Sequence, residues 1–304
     1  MTDRALLLTP AKRPSSLALA LALALVLLFW SVNYMVGKFT LSHMDALTLA
    51  VLRAELVAAI LLAIYFGQRQ RTSLRARDIW TFTYLGFFGY VINQGCFIVG
   101  LGSTTSNHSA ILIACSPIII LLLASAMRLE KLTVAKILGM ALCFVGVVLL
   151  ETEHGSPMHS PLLVGDLITL AGVLGFSVYA VLGKRVARAY DTVSMNTFNA
   201  VAAAILLMPV AVRQAIRLDW TGVGWAGWVG LLYMASLSAV AGYLLFYWAL
   251  RHMDASRVVV VNYFQPVVVV LLSIPLLGER PTPRLLASAA LVIMGVYWAE
   301  RVGP

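Results

Sequence analysis

Apolar residues run along this chain in blocks of about twenty, each closed by a short polar link. Ten such blocks stand at roughly 17–37, 46–66, 79–100, 108–127, 134–151, 163–183, 193–212, 226–250, 256–277 and 284–299. A helix of about 20 mostly apolar residues crosses the hydrocarbon core of a bilayer. The pattern therefore predicts an all-α membrane protein with ten transmembrane helices and no soluble domain. The first block, "LALALALALVLLF", is read as a span and not a signal peptide, because nine more follow and no cleavage site interrupts it.

The phrase "WSVNYMVGK" (Trp30 to Lys38) returns as "FSVYAVLGK" (Phe176 to Lys184), 146 positions later. At that offset Ser31, Val32, Gly37, Lys38, Asp45, Ala54 and Leu61 meet identical residues. After a loop-length change the offset becomes 149, and Phe97, Pro117, Glu130, Thr133, Gly146 and Glu151 meet theirs. The chain reads as a cytoplasmic tail (1–16) and two copies of a five-helix unit, 17–151 and 163–301. An odd number of spans per copy makes the second copy enter from the opposite face. The halves are then inverted repeats, a common plan of secondary transporters.

Composition agrees. The chain is 61% hydrophobic and 12% charged, with a mean hydropathy of +0.91, whereas a soluble domain is about half apolar and a quarter charged. The net charge of +9 is explained by placement. With the N-terminus in the cytoplasm, 16 of the 22 Lys and Arg residues fall on the cytoplasmic side and 5 on the other, while Arg53 lies within a span. That bias follows the positive-inside rule. It puts both termini in the cytoplasm of a multi-pass inner-membrane protein and removes the need for a nucleic-acid partner. Cys96, Cys115 and Cys143 all lie in spans and read as small hydrophobes, with neither a disulfide framework nor metal-ligand spacing.

Four polar-aromatic stripes stand out. Trp30, Asn33 and Tyr34 share one face of the first span; Tyr90, Asn93 and Gln94 share one face of the third. Tyr179 lies on the sixth span and Tyr243 and Tyr247 on the eighth; apart from these stripes, Asn262, Tyr263 and Gln265 cluster on the ninth. Such residues either glue helices together or line a wet cavity; four corresponding stripes favour a substrate cavity. Pro117 and Pro266 each free a carbonyl four residues upstream and are candidate hinges. Glu55 and Arg53 are ionisable at mid-span, candidates for proton or charge coupling or for structural pairing with other helices. His108, at the outer end of the fourth span, is a further proton candidate, or else an interfacial residue. Glu130 and Glu279 end helices on opposite faces, as caps, gates or solvated charges. No phosphate-loop or HExxH motif is present, so neither ATP drive nor metal chemistry is encoded, and no cofactor is expected.

The "SP…LEKLT" run at 116–133, its partner "QP…LGERPT" at 265–282 and the paired "GK" first helices resemble the EamA family of the drug/metabolite transporter superfamily. The stretch "VVNYFQPVVVVLLS" at 260–273 is similar to the aromatic amino-acid exporters of that superfamily. The resemblance implies a ten-helix basket with a central cavity, peripheral fifth and tenth helices, and export of amino acids, other metabolites, nucleobases or drugs. The amide and aromatic lining suits a zwitterion or a neutral amphiphile. The rival classes are a non-transporting scaffold and an intramembrane enzyme. Substrate identity, coupling ion and oligomeric state are left open.

Overall fold

The computed structural model describes residues 14–69, 71–127, 133–151, 162–186, 189–252 and 255–301. The tail before residue 14 and the expectation at Glu130 lie outside these residues. All described secondary structure is helical. The first half holds α1 (Ser16–Leu41), α2 (Ala46–Gly67), α3 (Ile79–Gly86), α4 (Asn93–Ser103), α5 (Ser106–Ala114), α6 (Ser116–Ala126) and α7 (Val134–Glu151). The second holds α8 (Leu163–Val186), α9 (Thr192–Arg217), α10 (Gly224–Tyr233), α11 (Gly242–His252), α12 (Ala255–Leu277) and α13 (Pro283–Arg301). Two wide π-helical turns, Phe87–Ile92 and Met234–Ala241, join α3 to α4 and α10 to α11 into single rods.

Local signals start and stop these helices. Asp45 accepts a hydrogen bond from the Thr48 N–H and Asp191 from the Ser194 N–H. The repeat mates Asp45 and Asp191 are therefore the same N-cap in both halves. Gly278, at φ +67°, follows the last residue of α12 in the left-handed region, where glycine avoids the Cβ penalty.

Among the described residues, seven helices are long and apolar enough to cross a membrane: Ser16–Leu41, Ala46–Gly67, Ala76–Ser103, Ser106–Leu123, Leu163–Gly183, Thr192–Arg217 and Gly224–Ala249. Three shorter apolar stretches, Lys136–Leu150, Phe264–Leu277 and Pro283–Trp298, occupy the other expected positions. The helices that hold them, α7, α12 and α13, have 18, 23 and 19 residues; at 1.5 Å per residue they are about 27–35 Å long, close to the ~30 Å core. The fourth expected span, Ser106–Leu123, carries one non-helical residue near its middle. Cys115 forms a tight turn between α5 and α6, two residues before Pro117, while α12 runs unbroken through Pro266 and Pro275. Pro117 sits in the first turn of α6, where its missing N–H costs nothing.

Small residues set the helix crossings. α2 packs on α9 and α7 on α13, each helix against its own repeat mate. α4 packs on α8 as α1 packs on the α10–α11 rod. Crossings between the halves thus come in matched sets. At the α7–α13 crossing the mates Gly146 and Gly295 each face the other helix. A Cβ on Gly295 would stand 2.5 Å from the Gly139 carbonyl oxygen. At the α4–α8 crossing, a Cβ on Gly165 would stand 2.5 Å from the Ser103 carbonyl carbon. Without a hydrophobic drive between helices in lipid, such close contact is what holds them together. The outward faces of α1, α7 and α13 carry exposed Leu17, Leu21, Phe144, Val145, Met294 and Trp298, as lipid-facing surfaces do.

Gly165→Val and Gly295→Val should each lower stability in detergent by about 1–3 kcal/mol, because backbone cannot yield as a side chain can. Gly95→Ala, where a Cβ meets nothing within 4 Å, should be neutral or stabilising by about 0.5–1 kcal/mol. Thermal denaturation followed by fluorescence size exclusion separates the three.

Candidate substrate cavity

One cavity opens among α1, α2, α4, α5, α6, α8, α11, α12 and the Met234–Ala241 turn. Trp30, Asn33, Tyr34, Arg53, Asn93, Gln94, Phe97, Ile113 and Ser116 line it from the first half. Val173, Phe176, Ser238, Tyr243 and Gln265 line it from the second. Both halves therefore build one site. Seven of the twelve substrate-binding residues expected from the sequence meet here: Trp30, Asn33, Tyr34, Asn93, Gln94, Tyr243 and Gln265.

Tyr243 is the pivot of the wall. Its hydroxyl oxygen accepts from Gln94 Nε2 at 2.6 Å and Asn93 Nδ2 at 3.3 Å. Its ring lies 5.4 Å from that of Trp30, whose indole N–H donates to the Ser238 carbonyl at 3.1 Å. Tyr90, Tyr179 and Tyr247 do not line the cavity. They stand behind Tyr243: Tyr90 and Tyr247 stack on it, with ring centroids at 6.5 and 6.4 Å. Tyr179 meets Tyr247 edge to face, and its hydroxyl takes a hydrogen bond from Asn199. Each of the three shares a helix face with a residue that lines the cavity. These rings back the wall and hold Tyr243 in place. The side chains of Asn262 and Tyr263 lie outside the described residues.

The two mid-span charges part company. Arg53 is 3% exposed, and its Nε donates to the Met234 carbonyl at 3.1 Å. Its partner on another helix is thus a backbone oxygen inside a wide turn, not an acidic side chain. Glu55 is half-buried and does not line the cavity; its Oε1 has no hydrogen-bond partner among the described residues. The two make no ion pair, since residues two apart point to different sides of a helix.

His108 is no exposed group. It is 1% exposed and pairs through Nδ1 with Asp166 Oδ2 at 2.8 Å. Thr104 Oγ1 donates to the other carboxylate oxygen, and Lys38 donates to the Thr104 carbonyl. Glu279 is no solvated charge either. It accepts from the backbone N–H groups of Ser106 at 3.0 Å and Asn107 at 3.3 Å, capping α5 from the opposite half. Ser273 Oγ donates to Asn107 Oδ1 nearby. The sequence reading passed over Asp166. The available signal was a carboxylate inside the first turn of an apolar run, where a lone charge needs a partner.

A second tie joins the halves at the other end of the bundle. Thr72 donates to Asp191 Oδ2 at 2.9 Å, and Tyr190 donates to Asp78 at 2.7 Å. Partial burial would raise the Asp191 carboxyl, but donors from Ser194 and Thr72 outweigh it and hold the group below its ordinary range.

Comparison with known proteins places the chain. A family model described as the EamA-like transporter family matches it twice, over residues 17–152 and 163–300. "Uncharacterized transporter YyaM" of Bacillus subtilis is 26% identical over 90% of this chain and 91% of its own length. "Probable amino-acid metabolite efflux pump" of Salmonella typhimurium is 26% identical over the same shares, 90% and 91%. "Probable terminal-alkyne amino-acid exporter" of Streptantibioticus cattleyicolor is 24% identical over 81% of both chains. A crystal structure at 20% identity has the same fold, with a TM-score of 0.67 over 95% of this chain and 100% of the other. The duplicated, cavity-bearing helical bundle described above is thus a multi-pass membrane transporter, and the chain belongs to the EamA-like transporter family.

Proposed function

We propose that this protein exports amino acids or similar small metabolites across the cytoplasmic membrane by alternating access. The observation that carries the reading is the cavity walled by amides and aromatics from both halves. The relatives described as an amino-acid metabolite efflux pump and an amino-acid exporter support the substrate class and the direction. Ten membrane segments form two inverted five-helix repeats, 17–151 and 163–301, with both termini in the cytoplasm. The short stretches within α7, α12 and α13 complete the count.

The two polar ties are the gates. His108–Asp166, Glu279–α5 and Ser273–Asn107 join the halves on the extracytoplasmic side. Thr72–Asp191 and Tyr190–Asp78 join them on the cytoplasmic side. Opening to one side breaks one set and leaves the other. Inverted repeats make the two open states similar in energy, so a substrate's differential affinity can shift the balance. Asn33, Asn93, Gln94 and Gln265 supply hydrogen bonds, and Trp30, Tyr34 and Tyr243 supply apolar faces. His108, protonated or neutral against Asp166, is the coupling candidate that the geometry favours over Glu55. The Cys115 turn before Pro117 is the hinge candidate, since it already interrupts the helix; Pro266 lies in a continuous one.

Counterflow in proteoliposomes, with amino acids set against nucleobases and with or without a pH gradient, tests the substrate class. Amino-acid counterflow is expected; exchange of nucleobases alone would refute it. The double variant Asn93→Ala, Tyr243→Ala should cut flux by about tenfold or more, because unpaired polar groups and a missing ring each cost about 1–3 kcal/mol. Its expression should match the parent. Reporter tags placed in 152–161 and after residue 304 should report opposite sides of the membrane. Tags on the same side would rule out the inverted arrangement.

A further inference from the structure

The cavity carries one formal charge and nothing to balance it. Among the described residues that line it, Arg53 is the only ionisable side chain that is charged at neutral pH. Its guanidinium is almost wholly buried, and only Nε is committed, to the Met234 carbonyl. Nη1 is buried and has no hydrogen-bond partner among the described residues. A buried, unpaired cation is strongly unfavourable unless something completes it. Three further lining atoms are buried and unpartnered: the Tyr34 hydroxyl, the Ser116 hydroxyl and Asn33 Oδ1. The two hydroxyls can donate or accept, whereas Nη1 can only donate and carries charge. An ammonium needs acceptors and a neutral base needs a balance of both. A carboxylate accepts at about four lone-pair sites and donates nothing, and a guanidinium fork matches its shape.

We infer that Arg53 is the carboxylate anchor of the transport site, and that the substrate class is a monocarboxylate with an aromatic or apolar tail. The tail lies against Trp30 and Tyr243, whose positions are held by Ser238 and by the Asn93–Gln94 amides. An α-amino group is tolerated but not required, because no carboxylate among the described residues faces the cavity. This inference rests on the transport reading and sharpens it: charge recognition is for the anion, not for the zwitterion as a unit. A single guanidinium also suits one negative charge and not two, which disfavours dicarboxylates and phosphate esters. Nε of Arg53 ties the anchor to the wide turn of the second half. The bound anion is therefore sensed by both repeats, as a ligand that drives a rearrangement between them must be.

The test uses the unmodified protein and a set of phenyl compounds. Calorimetric binding in detergent and competition for counterflow in liposomes are measured with phenylalanine, 3-phenylpropionate, phenylalanine methyl ester and phenethylamine. The expected result is that 3-phenylpropionate binds within a few-fold of phenylalanine. The ester and the amine, lacking the carboxylate, should be weaker by about tenfold or more. Tighter binding of the ester or the amine than of 3-phenylpropionate would overturn the inference. Binding of 3-phenylpropionate without counterflow would instead overturn the transport reading and leave the anchor standing. Arg53→Lys keeps the charge and loses the fork, so it should weaken 3-phenylpropionate by about tenfold while phenethylamine is unchanged. An equal loss for both ligands would make Arg53 structural. If that variant does not fold, the ligand series on the parent protein decides alone.

Discussion

Hydrocarbon gives a polar group no partner, and this constraint orders the whole molecule. Backbone groups answer it by helix formation throughout the described residues. Side chains answer it by gathering at three levels: the cavity between the halves and the two polar ties at the ends of the bundle. Even the wide turn Met234–Ala241 obeys it, since carbonyls within it accept from Arg53 and from Trp30 of the opposite half. π-helical turns often sit at functional sites. Here they widen the wall and offer carbonyl oxygens to side chains.

Close approach is the other half of the answer. Lipid does not press helices together, so dispersion contacts and interhelical hydrogen bonds must. Gly146 with Gly295, and Gly100 with Gly165, let backbones meet where any side chain would intrude. Ser288 adds a bond from its hydroxyl to the Gly146 carbonyl at that crossing. The polar ties add a few hydrogen bonds each between the halves.

The halves are alike in scaffold and unlike in chemistry. Asp45 and Asp191 cap equivalent helices, yet only Asp191 also accepts from a loop of the opposite half. Pro117 and Pro266 are mates, yet only the helix before Pro117 breaks. Arg53 has no charged mate, since position 199 is Asn199, buried against Tyr179. One scaffold, used twice, thus presents two chemically different walls to the cavity.

The sequence by itself determined the solvent, the helical class, the duplication and the inward faces. Each depends on periodicity and composition, which local physics reads directly: period 3.6 puts Trp30, Asn33 and Tyr34 on one stripe whatever surrounds them. Only tertiary structure decided depth and pairing. Tyr90, Tyr179 and Tyr247 share faces with cavity residues but pack behind them, because distance from the cavity depends on how far neighbouring helices approach. His108 and Asp166 are 58 positions apart, and no pattern along the chain announces their bond. The partner of Arg53 is a backbone carbonyl, invisible to any reading of side chains. Periodicity assigns a direction to each residue; close packing of distant segments assigns its contacts.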